Sequence, residues 1–496
     1  MKKKTHAGSE QIGHNMLSRR RILKYGLYGT IAGSLSPSLW LSGCGNKTRK
    51  KEKPNVILIS IDTLRWDHVG CYGYPQNTTP NIDAFAEKNI LFENCFVQEP
   101  NTCSSHMSML TGLYPYTHGV EIRTALSPST TTLTEVLKQN GFTTLGFVRA
   151  CGQLFPKCGF ARGFDTYRET PFDAESQNRF VAKRLEKAEN KKLFLFLHYY
   201  DVHSDFNKLP YESPPPYNKI FYPDYKGNFS GGDGELFASR YLADINTKHY
   251  RTLKKNIPSE PFRLKQDDLK YITALYDGGV AYTDKCLGDM FAILKRFGLY
   301  DNSLIIVTSD HGEEFQEHDF LLHDNPYYYE ELVRVPMIIK LPGTDTKGKV
   351  VNGLVESIDF MPSILDMLNV KDAPVTQGTS FMKIIDDSAT RSKDFVYGCS
   401  VVNEKNIHRG LRAFVRNNQF KLLNWNIFNN KNYKMFDLSK DPLEKTDLMD
   451  DTNNLAKQLK TRLLDKYMEL EKPKKQKEVP MSPERLEKLK SLGYIQ

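Results

Sequence analysis

The chain has 496 residues, 40% of them hydrophobic and 11% aromatic. That is enough apolar surface for a sizeable core, so wholesale disorder is excluded. No run of 18 or more apolar residues occurs, which excludes an ordinary membrane-spanning helix. The formal net charge of +9 is concentrated in the first 43 residues, and the rest carries only +3. A nucleic-acid binder keeps a basic stripe on its folded part. Here the later basic runs, 47–53 and 472–477, read as solvated tails, so no nucleic-acid partner is expected.

In chain order, a targeting segment comes first. Ser18-Arg19-Arg20-Arg21-Ile22-Leu23-Lys24 precedes a mildly apolar stretch, Tyr25–Trp40. A charged start, a short apolar stretch and small residues after it describe a secretory signal. The double arginine followed by Leu-Lys resembles the twin-arginine export signal. Leu41-Ser42-Gly43-Cys44 resembles a bacterial lipobox, which makes Cys44 the lipidated first mature residue. Residues 1–43 are thus expected to be an export signal and 44–53 a polar tether. The mature chain would be a periplasmic or cell-surface lipoprotein, held at a membrane by acyl chains. Seven cysteines remain after Cys44, so at least one thiol stays free in an oxidising compartment. Cys151 and Cys158 lie close enough in sequence to pair. No Cys-x-x-Cys appears, so structural zinc on cysteines is not expected.

Five apolar runs read as buried strands of a parallel sheet: Val56–Ile61, Thr143–Val148, Leu193–Leu197, Ser303–Thr308 and Val335–Leu341. Helical patterns fall between them, at Asn81–Lys88, Ser105–Leu113, Leu133–Asn140, Asn178–Glu189, Leu269–Phe297 and Ile358–Leu368. Strands alternating with helices predict a doubly wound α/β domain over 54–385. Residues 204–262, rich in Tyr, Pro, Gly and Asn, read as a long irregular insertion of the functional kind. Beyond them, Val396–Val402, Leu411–Arg416, Phe420–Asn424 and Tyr433–Asp437 sit at hairpin spacing, and a charged helix follows at Ala456–Glu471. Residues 386–496 are therefore expected to form a small antiparallel α+β subdomain with a tail.

Ligands in open α/β sheets bind beyond the carboxyl ends of the strands. Asp62 follows the first predicted strand, His203 the one at 193–197, and Asp310-His311 the one at 303–308. These strands deliver carboxylates and imidazoles to one edge, and two Asp with one His suit a divalent ion such as Mn²⁺, Mg²⁺ or Zn²⁺. Thr102–Gly112 opens a helix whose N-terminus could seat an oxyanion on free N–H groups. The same hydroxyl is also an ordinary helix cap, and spacing does not choose between the two. His118 reads as structural, His198 as a buried hydrogen-bonded imidazole, and Glu313 and Glu314 as helix-start caps. His318 either contacts substrate or faces solvent.

From Pro54 onward the chain resembles the sulfatase family of the alkaline phosphatase superfamily. The stretches that carry this are Asn55–Tyr74, Thr102–Val120 (ending Leu-Thr-Gly-Leu-Tyr-Pro-Tyr-Thr-His-Gly-Val) and Asp277–Val280. Ser309–Phe315, Arg334–Pro342, Met435–Leu448 and Leu492–Ile495 continue them in order. The resemblance implies an alkaline-phosphatase-like α/β/α sandwich with a large mixed, mostly parallel sheet. The family carries its nucleophile at the start of Cys/Ser-x-Pro-x-Arg, ten residues before the Gly of Leu-Thr-Gly, and that register falls on Thr102. Cys103 is one place off, and the Pro and Arg positions hold Ser104 and His106, so formylglycine is not expected. The second Asp of formylglycine sulfatases is Thr63 here. The resemblance thus implies a single-metal set of Asp62, Thr102, Asp310 and His311. Mn²⁺ or Zn²⁺ fits it best, with Ca²⁺ or Mg²⁺ as alternatives. A Thr102 alkoxide would attack the ester and form a covalent intermediate. The metal, helix N–H groups, His106, His203 and His323 would hold the developing charge. His203 or His323 would protonate the leaving group, and Arg149 lies near the family's anion-contacting lysine.

The first function expected is cleavage of a phosphodiester or phosphonate monoester of a small molecule, glycan or lipid. A threonine nucleophile resembles the phosphotransferring branches of the superfamily. The alternative is a sulfatase acting on sulfated glycans. A third reading, a non-catalytic surface binding protein, is opposed by the retention of Asp62, Thr102, Asp310 and His311 together.

Overall fold

A computed structural model describes residues 53–491 apart from 189–191, 205–210, 228, 233–263, 324–326, 345, 387–391, 402–410, 428–431 and 472–476. The export signal, Cys44, the tether up to residue 52, most of the 204–262 insertion and Leu492–Ile495 lie outside the described residues.

An eight-stranded sheet forms the frame. Its strands are β1 (Asn55–Ile61), β2 (Ile90–Phe96), β3 (Thr143–Arg149), β4 (Thr166–Thr170), β5 (Leu193–Tyr199), β6 (Ser303–Ser309), β9 (Arg334–Lys340) and β10 (Lys349–Glu356). Between β6 and β9 a two-stranded hairpin, β7 (Glu314–Phe315) with β8 (Leu321–Leu322), stands apart. The spatial order is β10-β2-β9-β6-β1-β5-β3-β4. Every neighbouring pair is parallel except the two that involve β9. The expectation of a parallel strand at 335–341 is corrected here: β9 runs against both its neighbours. A strand buried on both faces reads as a continuous apolar run in either direction.

Side chains alternate across the pleat, and the core follows that alternation. Val56 and Leu58 of β1 face one apolar cluster, Ile57, Ile59 and Ile61 the other. The first cluster takes in Met107 and Leu110 of the helix Thr102–Thr111. The second takes in Leu275, Leu287 and Leu294 of the long helix Gln266–Arg296. Helices on both faces of the sheet make the expected three-layer sandwich. Among the described residues no helix is long and apolar enough to cross a membrane.

The C-terminal residues form a four-stranded antiparallel sheet, β11 (Val396–Cys399), β12 (Ala413–Arg416), β13 (Phe420–Asn424) and β14 (Tyr433–Asp437), in chain order. The helix Asn454–Glu469 covers it through Ala456, Leu459 and Leu463. Buried ion pairs tie it to the main domain. Glu330 lies 3.1 Å from Arg416 Nε and 3.0 Å from Lys421 Nζ. Lys393, just before β11, bonds Glu356, the last residue of β10, and Asp359 just past it, each at 2.6 Å. Replacing Lys393 with Met leaves two buried carboxylates facing each other. The expected cost is about 3 kcal/mol, measured as a lower urea midpoint at unchanged slope; a midpoint within error of the parent would contradict this role.

Candidate active site

β6, β1 and β5 are adjacent and parallel, so the residues beyond their carboxyl ends meet at one edge. Asp62 follows β1, Asp310 and His311 follow β6, and all three are fully buried. Thr63 takes a left-handed φ of 54°, a strained conformation for a β-branched residue and one that clusters at functional sites. Its N–H donates to Asp310 Oδ1 at 3.2 Å, which fixes the two strand ends relative to each other.

Thr102 is the first residue of its helix. Its hydroxyl lies 3.3 Å from His311 Nε2. His311 Nδ1–H donates to Gly312 O at 2.9 Å, so Nε2 turns its lone pair inward. That nitrogen is 3.8 Å from Asp62 Oδ1 and 3.7 Å from Asp310 Oδ2. Both oxygens are buried and accept no hydrogen bond among the described residues. Three lone-pair atoms, two of them on carboxylates, thus converge, and the Thr102 O–H beside them reaches Nε2 while both carboxylate oxygens go without a donor among the described residues. Such a group is costly to bury unless a cation or proton joins it. Burial and the charge of Asp310 push Asp62 upward. For Asp310, burial acts in the same sense but is outweighed by His311, His106 and His198, which hold it below its usual range. Oxygen and imidazole donors in this geometry fit a divalent ion, and Asp62, Asp310 and His311 each offer one ligand atom within 4.8 Å of the others.

The surrounding imidazoles divide into two kinds. His198, in β5, donates Nε2–H to Asp62 Oδ2 at 3.0 Å. Burial lowers its pKa to about 4, so it is a neutral donor that orients a carboxylate. It is buried and hydrogen-bonded as expected, but its contact with Asp62 was not foreseen. His106 donates Nδ1–H to Thr102 O at 2.7 Å and accepts from Ser60 Oγ at 2.9 Å. Burial lowers its pKa to about 4 as well. The expectation that His106 holds substrate oxygens is not met, because both nitrogens are engaged and the ring is enclosed. It steadies the helix turn that carries Thr102. The helix amides are likewise taken: Asn101 Oδ1 accepts from Cys103 N at 3.1 Å and Ser104 N at 3.2 Å. The expected anion seat on those N–H groups is therefore corrected to a side-chain cap.

His203 and His323 form the facing wall. Their ring centres are 5.2 Å apart, and His323 is 4.6 Å from His311. His203 stacks on Tyr200 at 4.4 Å. Burial, and then the charges of His323 and His311, depress its pKa. His323 Nδ1 lies 2.8 Å from Glu313 Oε1. Glu313 and Glu314 are not helix caps: Glu314 opens β7, and Glu313 orients His323. Arg149 ends β3 with Nη1 buried and unbonded among the described residues, and its charge reaches His198. His118 is structural as expected, with Nε2 3.1 Å from Ser108 Oγ. His318 neither faces solvent nor lines this site; its side chain is 9% exposed and pairs with Glu331. Cys151 and Cys158 are free thiols, so the pairing their spacing allows is not formed. An open cavity of about 580 Å³, lined by His68, Tyr74, Lys270, Asp277, Phe315 and Glu317, includes none of the metal-site residues.

Residues 54–370 match the sulfatase family, and residues 317–471 match the C-terminal region of N-sulphoglucosamine sulphohydrolase. An arylsulfatase of Clostridium perfringens is 24% identical over 454 residues, covering 80% of this chain and 90% of that protein. The phosphonate monoester hydrolase of Agrobacterium radiobacter superposes with a TM-score of 0.65 at 19% identity, covering 84% of this chain and 95% of that one. A structure solved with its substrate D-glucosamine-2-N,6-O-disulfate gives a TM-score of 0.65 at 19% identity, over 84% and 98%. The sandwich and its C-terminal sheet match those of sulfatase structures, and the chain belongs to the sulfatase family, the divalent-metal ester hydrolases of the alkaline phosphatase superfamily.

Proposed function

We propose that the protein hydrolyses sulfate esters of glycans, with Thr102 as the nucleophile. The observation that carries hydrolysis is the Thr102 hydroxyl, 3.3 Å from the inward lone pair of His311 and beside two buried, unbonded carboxylate oxygens. The substrate class is supported by the relatives. The Clostridium protein is an arylsulfatase, and the second neighbour was solved with a disulfated glucosamine. They favour this reading over the phosphate ester that the residues alone put first. A second reading, a phosphonate monoester or phosphodiester, keeps support from two sources. Thr102 is an ordinary hydroxyl rather than a formylglycine precursor, and a phosphonate monoester hydrolase is among the structural neighbours.

The chemistry is the same for either centre. Thr102 gives up its hydroxyl proton to solvent water, its Oγ attacks sulfur or phosphorus in line, and the bond to the leaving alcohol oxygen breaks. A divalent ion held by Asp62, Thr102, Asp310 and His311 would lower the hydroxyl pKa and neutralise developing charge. Mn²⁺ or Zn²⁺ suits those donors. His203, depressed by burial, stays neutral and donates its one N–H to an ester oxygen. His323, held through Nδ1 by Glu313, gives a proton to the leaving alkoxide. Arg149 contributes positive charge to the anion. Water then attacks the same centre and expels Thr102 Oγ. His106 is a positioning residue for Thr102. On this reading the Cys44 lipobox anchors the enzyme at a membrane surface, where polymeric glycans are met.

Turnover of matched aryl sulfate, phosphodiester and phosphonate monoester by Mn²⁺- or Zn²⁺-loaded protein tests this. The sulfate should be cleaved fastest, and Thr102→Ala should lower kcat/KM by more than about a thousandfold. Faster cleavage of the phosphorus esters, still lost in Thr102→Ala, would favour the second reading. No turnover by metal-loaded protein would favour a binding protein instead. Separately, His198→Ala should weaken Mn²⁺ affinity by about 10–100-fold, read by competition with a coloured chelator. Unchanged affinity would show that the imidazole does not orient Asp62.

A further inference from the structure

A second group of metal-ligating side chains stands apart from the catalytic edge. His318 lies between β7 and β8, Glu331 in the short helix Glu330–Val333, and Glu444 in the C-terminal subdomain after β14. Each offers one ligand atom, and those atoms lie within 4.8 Å of one another. The side chains of His318, Glu331 and Glu444 are 9%, 10% and 0% exposed. Their directions are set from outside the group. The His318 ring lies flat on Tyr329, with centroids 3.4 Å apart. Glu444 Oε2 accepts the Glu330 N–H at 2.6 Å, which leaves Oε1 turned to the others.

His318 Nε2, Glu331 Oε1 and Glu444 Oε1 are buried and make no hydrogen bond of acceptable geometry among the described residues. Lys421 Nζ stands 3.1 Å from Glu444 Oε1 as an ion pair and also holds Glu330 at 3.0 Å. A proton could join His318 to Glu331 but would leave Glu444 to Lys421 alone. A divalent ion satisfies all three atoms together. One spacing matches zinc: two ligands about 2.0–2.1 Å from a tetrahedral ion lie about 3.3 Å apart, and His318 Nε2 is 3.2 Å from Glu331 Oε1, with Glu444 Oε1 within 4.8 Å of both. Without an ion, burial and the charge of Glu444 raise Glu331 to about 8. Burial, against the pull of Lys421, raises Glu444 to about 7. Arg65 acts on Glu331 and Lys421 on Glu444 in the opposite sense, yet both carboxylates stay raised.

We propose that His318, Glu331 and Glu444 bind a second divalent cation, distinct from the catalytic one. One imidazole and two carboxylates suit Zn²⁺, with water in the open position. Lys421 then acts as an outer donor that orients Glu444. The ion pins the β7–β8 hairpin to the C-terminal subdomain. His318 sits at the turn of that hairpin and His323 just past its exit, so the pin also steadies one wall of the catalytic site.

Metal content of the full chain, dialysed against Zn²⁺ and measured by plasma mass spectrometry, tests the proposal. Two equivalents are expected in the parent and one in His318→Ala or Glu331→Gln. Asp310→Asn should also lose one, and combining it with His318→Ala should remove both. Anomalous diffraction at the zinc edge from parent crystals, which needs no variant to fold, should show a peak among the three side chains. A single equivalent in the parent with no such peak would overturn the proposal. So would two equivalents retained in a folded His318→Ala.

Discussion

The structure depends on the burial of Asp62 and Asp310 side by side at the edge of the sheet with too little positive charge between them. Two carboxylates at 0% exposure cannot both stay ionised without a countercharge. The chain compensates only one of the two: neighbouring imidazoles hold Asp310 below its usual range, while burial and Asp310 raise Asp62. What the chain does supply is rigidity. Strands β1, β5 and β6 lie in register, Thr63 is held in a strained left-handed turn, and its amide bonds Asp310. This is the preorganised, water-poor setting in which fixed charges act most strongly on a reacting ester.

Around that demand for a cation, polar groups fall into those that orient and those that face the ester. Asn101, His106 and Ser60 absorb the donors and acceptors of the nucleophile's own helix turn. On the proposed reading, His203, His323 and Arg149 are the groups that meet an anion. Ion pairs behind them serve a different purpose. Glu330 with Arg416 and Lys421 joins the main domain to the C-terminal sheet through a buried charge cluster. Such pairs contribute little net stability but penalise misplacement, and here they fix the docking of the element that carries Glu444.

The sequence made much of the frame legible, because buried strands announce themselves as apolar runs. It missed β2, β4 and β10 for physical reasons. Asn94 interrupts the apolar run of β2, β4 reads Thr-Tyr-Arg-Glu-Thr, and β10 carries Lys349 and Asn352. It also missed the reversed direction of β9, which leaves no mark on an apolar pattern. Asp62, Asp310 and His311 were legible because each follows a strand end, and Thr102 because motif spacing places it. The Asn101 cap, the Glu313–His323 pair and the His198–Asp62 bond were not. Each joins residues whose approach depends on how loops run in space; Glu313 offered only its place after Asp-His-Gly. The group of His318, Glu331 and Glu444 spans two subdomains, so no local spacing could reveal it.

On the proposed reading, unmodified Thr102 becomes covalently esterified during turnover. Rapid quenching of metal-loaded enzyme during turnover of an aryl ester, followed by peptide mass mapping, tests it directly. A sulfo or phospho adduct on Thr102 and an intact thiol on Cys103 are expected. An adduct on any other side chain, or conversion of Cys103 to an aldehyde, would contradict it.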